Sequence, residues 1–127
     1  RMGESLASIR QFDAPLEQAT TSSLEAFKAW AHGIELVRSR KSGALPFYYR
    51  AKELDPNFAR VYVSLSLAHA NQGEIEQAAE YAAQAYELRH HVTEREKFDI
   101  AANYHTMVTG DLLKAIEQLE LWRQTYA

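Results

Sequence analysis

Ala44-Leu45-Pro46-Phe47-Tyr48-Tyr49-Arg50-Ala51-Lys52-Glu53-Leu54 and Ala78-Ala79-Glu80-Tyr81-Ala82-Ala83-Gln84-Ala85-Tyr86-Glu87-Leu88 decide the fold when laid one over the other. Ala44, Tyr48, Ala51 and Leu54 return as Ala78, Ala82, Ala85 and Leu88, each 34 positions later, and Glu53-Leu54 returns in the same phase as Glu87-Leu88. A repeat of that length marks stacked helical units. Alanine at 44, 51, 78 and 85 suits the scheme, because a methyl group lets two helix backbones approach while larger neighbours interdigitate around it. A larger residue at Ala78 is expected to overpack the interface.

A third copy follows with a longer step, since Gly73 and Ala78 recur as Gly110 and Ala115, 37 positions on. The extra three positions are expected in the polar stretch Arg89-His90-His91-Val92-Thr93, as a longer loop between helices. Start signals agree. Ser22 with Glu25 and Thr93 with Glu96 have capping-box spacing, and Asp55-Pro56 reads as an N-cap followed by a first-turn proline. Gly43, Gly73 and Gly110 supply turns between paired helices. The spacing predicts helices over 3–12, 22–40, 44–54, 56–71, 75–89, 94–108 and 112–126, with residues 1–21 as an N-terminal helix and linker ahead of repeats at 22–55, 56–92 and 93–127.

Composition fits an ordinary globular domain. With 14 basic against 17 acidic residues the net charge is -3, which argues against a surface that tracks nucleic-acid phosphates. The chain holds no cysteine, so it has neither disulfides nor thiolate metal ligands, and the redox compartment stays open. No apolar run reaches the roughly 20 residues that span a bilayer. A chain opening on Arg1 is expected to be an excised piece, with any targeting or membrane segment outside it.

The pattern resembles the tetratricopeptide repeat family over residues 22–127. The second copy carries the likeness best, through Tyr62, Leu65, Gly73, Ala78, Ala85 and Leu88, while His90 and Ser66 depart from the usual proline and glycine. The phrases Gly3-Glu4-Ser5-Leu6-Ala7-Ser8-Ile9, Pro15-Leu16-Glu17-Gln18-Ala19-Thr20-Thr21 and Val108-Thr109-Gly110-Asp111 also look like tetratricopeptide regions attached to bacterial serine/threonine kinases and related signalling proteins. The resemblance implies an all-α, right-handed superhelical array of helical hairpins, about three repeats after an N-terminal helix. It implies a docking or sensory role in a larger protein and no kinase chemistry in these residues.

In such arrays the first helix of each pair lines a concave groove that takes peptides. The register places Trp30, Ile34, Val37 and Arg38, then Arg60, Val63, Leu67 and Asn71, then Lys97, Ile100, Tyr104 and Met107 along that wall. Val63 and Ile100 stand where a clamp for chaperone C-termini would want polar groups, so an amphipathic helix or extended protein segment is the expected partner. The alternative is a structural spacer or self-association module whose groove is filled by its own chain, with Trp30 and Ile34 packing on segment 1–21. At the far end, Leu112, Ile116, Leu119 and Trp122 form an apolar stripe with no polar helix after it. Either further repeats or self-association through Leu119 and Trp122 is expected to cover it.

Chemistry is not expected. No nucleophile elbow, phosphate-binding glycine loop, metalloprotease helix motif or dinucleotide fingerprint occurs, and no cofactor is implied. His32, His69 and His105 lie in successive first helices at differing repeat positions and read as packing residues; His90-His91 are neighbours on a loop, which seldom direct both rings at one ion without a further carboxylate. Glu74, Glu76 and Glu80 read as a solvated helix start. Arg38, Arg40 and Lys41 read as charge favoured at a helix end, with an anion patch as the alternative.

Overall fold

Six α-helices follow one another through residues 21–126, which are the residues that this computed structural model describes, apart from the side chains of Trp122 and Tyr126; no strand occurs among them. They are α1 (Leu24–Arg38), α2 (Ala44–Leu54), α3 (Ala59–Asn71), α4 (Ile75–Glu87), α5 (Glu94–Tyr104) and α6 (Leu112–Tyr126). A 3-10 turn, Arg89–His91, precedes α5, and a π-turn, His105–Thr109, follows it. The expected helix over 3–12 lies outside the described residues. No helix among them is long and apolar enough to cross a membrane.

The helices pack chiefly in consecutive pairs, α1 with α2, α3 with α4 and α5 with α6, and each pair leans on the next. One core joins the first two pairs around Phe27, Trp30, Tyr48, Phe58, Val61 and Leu65. A second joins the last two around Ala59, Tyr62, Ala85 and Ile100. The repeated positions Ala51, Ala78, Ala82 and Ala85 are all 0% exposed, so the recurring small residues mark the contacts between helices. Gly33 marks a close approach. A Cβ there would lie 2.5 Å from Cε1 of the buried Tyr48, so the backbone of α1 rests directly on that ring.

Thr93 caps α5 by accepting the Glu96 amide at 3.3 Å. At α1, however, Ser23 rather than Ser22 is the cap, accepting the Ala26 amide at 3.1 Å. The reason lies one residue earlier: the Thr21 hydroxyl donates to Asp55 and accepts the Ser23 amide, which holds Ser22 outside the helix. Asp55-Pro56 does not start α3 either. Asp55 closes α2, its Oδ1 accepts the Asn57 amide at 3.1 Å, and Pro56 gives its carbonyl to the Tyr62 hydroxyl at 2.6 Å, so α3 begins only at Ala59. Arg40 adopts φ +58° where α1 ends, with the Lys41 amide reaching back to the Leu36 carbonyl and the Arg40 amide to Val37, a Schellman stop made without glycine.

The extra residues of the third copy fall elsewhere than expected. First helices start at Leu24, Ala59 and Glu94, 35 residues apart each time, whereas α6 starts 37 after α4. The loop Arg89–Thr93 therefore does not absorb the insertion. It lies in the helical run that continues from α5 through the π-turn, where a wider turn takes up additional backbone.

Candidate functional site

The inner faces of α1, α3 and α5 enclose an open groove of about 400 Å³. Ile34, Val63, Leu67, Ala102, Met107 and Leu119 form its apolar surface. Arg60, Ser64, Asp99, Asn103 and Thr106 supply its polar groups. Leu67 and Leu119 are about half exposed, at 48% and 49%, so apolar surface is open to an occupant. Leu119 comes from α6, which thereby reaches the rim of the groove.

The floor is a fixed structure. Trp30 is buried against Phe27 and Phe58, and its indole N–H donates to Ser64 Oγ at 2.9 Å, tying α1 to α3. The Arg60 guanidinium lies over the Trp30 ring, 5.5 Å from its centroid, and bonds Asp99 Oδ2 at 2.9 Å, tying α3 to α5. Ser66 Oγ donates to the Ala78 carbonyl at 2.7 Å, which holds α4 against the back of the same helix. Asn103 Nδ2 is buried with no acceptor among the described residues.

Of the residues expected on the groove, Ile34, Arg60, Val63, Leu67 and Met107 line it. The others stand apart. Trp30 lies beneath the floor as a core residue. Ile100 is 0% exposed and packs with Ala59, Tyr62 and Ala85 on the opposite side of α5. Tyr104 stacks on Tyr86 at 4.0 Å, outside the lining, and Lys97 pairs with Glu94 one turn earlier on its own helix at 3.0 Å. Arg38, Val37 and Asn71 are exposed near the ends of α1 and α3 and do not line the groove. For Lys97, Ile100 and Tyr104 on α5 the misplacement has one cause. Reading α5 with a 37-residue step instead of 35 slips it by two residues, and two residues turn a helix face by about 200°. That slip accounts for Ala102 and Thr106, which stand 35 residues after Leu67 and Asn71, whereas nothing in the register singled out Ser64, Asp99, Asn103 or Leu119.

A second polar cluster lies where α2, α3 and α4 meet. His69, 7% exposed, holds Glu74 Oε1 at 2.7 Å on Nδ1 and the Tyr49 hydroxyl at 2.7 Å on Nε2, and stacks on Tyr81. A carboxylate can only accept, so Nδ1 carries the proton and Nε2 accepts from Tyr49 when the ring is neutral. With all its nitrogens engaged, His69 acts as a joint between helix pairs. Burial raises the phenol pKa of Tyr48, Tyr49 and Tyr62, with the Asp55 carboxylate adding to the rise at Tyr62, so these hydroxyls stay protonated donors. His32 stacks on Phe47 at 4.1 Å. The described residues contain no group of three His, Asp or Glu side chains placed to hold a metal ion.

Compared with family models, with curated proteins and with solved structures, the chain matches none.

Proposed function

We propose that the chain is a tetratricopeptide-type array that binds an uncharged, apolar segment of another protein, carried on an amphipathic helix, in the groove between α1, α3 and α5. The observation that carries the reading is the groove's composition: an apolar lining, open to solvent at Leu67 and Leu119, around one cation and one anion that neutralise each other. The 34-residue recurrence of small residues and the consecutive helix pairs support the array. A free carboxylate terminus is a poor occupant, because Arg60 already holds Asp99. Binding rather than catalysis is supported by a site in which Arg60 and Asp99 hold each other and Trp30 holds Ser64, with no nucleophile and base set side by side. The likeness of several phrases to regions attached to signalling kinases supports a docking role within a larger protein.

The test is fluorescence anisotropy with a labelled synthetic leucine–alanine helical peptide. The wild-type chain is expected to bind it saturably, and Leu67→Glu, which alters a half-exposed residue, is expected to abolish binding at an unchanged melting temperature. Equal binding by both proteins would refute the groove as the working surface.

A second reading has its own observation. Leu112, Leu113, Ile116, Leu119 and Leu121 are all exposed on α6, a density of surface apolar residues that favours self-association through that helix. Light scattering across a hundredfold concentration range tests it: a rise in mass supports it and a constant monomer refutes it.

A further inference from the structure

Arg60 is the only cation and Asp99 the only anion among the described residues that line the groove. An exposed arginine at the mouth of an apolar groove would ordinarily be a carboxylate receptor, since its planar fork of five N–H donors matches a carboxylate in two-point contact. Here the guanidinium is immobilised from two directions. The Trp30 ring supports its face at 5.5 Å, that ring being itself fixed by the bond to Ser64, and Asp99 takes Nη1 at 2.9 Å.

We infer that Asp99 is the specificity-determining residue of the groove: by occupying Arg60 it makes the site accept uncharged segments and refuse carboxylates. The inference rests on the peptide-binding reading above. An incoming carboxylate must displace Asp99 from Arg60 or lie beside it, where two like charges at hydrogen-bonding range repel strongly in a partly dry groove. An amide or a main-chain carbonyl meets no such repulsion. Removing the Asp99 charge leaves Arg60 in place on Trp30 with Nη1 released and its charge uncompensated, a preorganised anion site. The arrangement is selection by a built-in competitor, in which a repulsive element excludes one ligand class without adding affinity for the other.

The experiment uses the full chain and two fluorescein-labelled peptides of the same leucine–alanine sequence, one ending in a free carboxylate and the other in an amide. The wild type is expected to prefer the amide, and Asp99→Asn, nearly isosteric at a part-exposed position, to reverse the preference to about tenfold for the carboxylate. Arg60→Met combined with Asp99→Asn is expected to remove the reversal. Should Asp99→Asn melt early, Asp99→Ser carries the same comparison. An unchanged ratio of the two affinities in the Asp99 variants, with binding retained, overturns the inference and leaves the groove reading standing. Failure of every folded protein to bind either peptide overturns the groove reading, and this inference with it.

Discussion

The second helices of two neighbouring pairs, α4 and α6, carry related sequences and meet different fates. On α4, Ala78, Ala82 and Ala85 are 0% exposed, because α3 covers one side and α5 the other. On α6, Ala115 is buried like its counterpart Ala78, yet Leu119, 37 residues after Ala82, is 49% exposed. Two exposed α4 positions, Glu76 and Gln84, become Leu113 and Leu121 on α6, exposed at 75% and 47%. Among the described residues, α4 is thus packed from two sides and exposes one large apolar residue, Ile75, while α6 packs on α5 and the turn after it and exposes five, Leu112, Leu113, Ile116, Leu119 and Leu121. Burial in an array depends on a helix's neighbours as much as on its own sequence.

Substitutions test that contrast at its extremes. Phe58→Ala, in the core between the first two pairs, is expected to cost about 3–5 kcal/mol, against a change within about 0.5 kcal/mol for Leu113→Ala. Urea denaturation measures both, and similar losses would mean that α6 is covered after all. Overpacking gives the next largest effect. Ala78→Leu should destabilise by about 1–3 kcal/mol, because its methyl is enclosed and its carbonyl holds Ser66; a neutral result would break the equivalence drawn between repeats. Gly33→Ala probes the first pair in the same way, since the new methyl must displace the Tyr48 ring. A loss of about 1–2 kcal/mol is expected by thermal melting, and Tyr48→Leu in the same chain should recover part of it. The smallest change is a gain. Arg40→Gly relieves a left-handed backbone and should stabilise by about 0.5–1 kcal/mol, which would localise strain to the stop of α1 if a melting curve registers it.

The contrast also explains what was legible in the sequence. Fold class was readable because it rests on a pattern spread over many positions: the 34-residue recurrence survives errors at any one residue, and five of the six described helices begin within two residues of expectation. The start of α3 was missed because tertiary bonds from Thr21 and Tyr62 claimed Asp55 and Pro56, which local reasoning had assigned to the helix cap. The groove was less legible than the fold. On α3, Arg60, Val63 and Leu67 were placed on the groove face and Asn71 was not. Those on α5 were turned away by an insertion located in a loop when the structure carries it through a π-turn. A two-residue error is invisible in helix boundaries and decisive for which side chains face inward. Asp99, on which the groove's charge balance depends, has no signal in the sequence, since its counterpart 35 residues earlier is Ser64, which the register did not single out.

Selective labelling of methionine methyl carbons offers the most direct test of the groove as the working surface. The chain has two methionines, so Met2→Leu assigns the pair, and Met107 lines the groove. Titration with the amidated leucine–alanine peptide is predicted to shift the Met107 methyl resonance saturably in the wild type and to leave it still in Leu67→Glu. A peptide that binds with equal affinity to both proteins, or that binds while Met107 stays unmoved, would contradict the account.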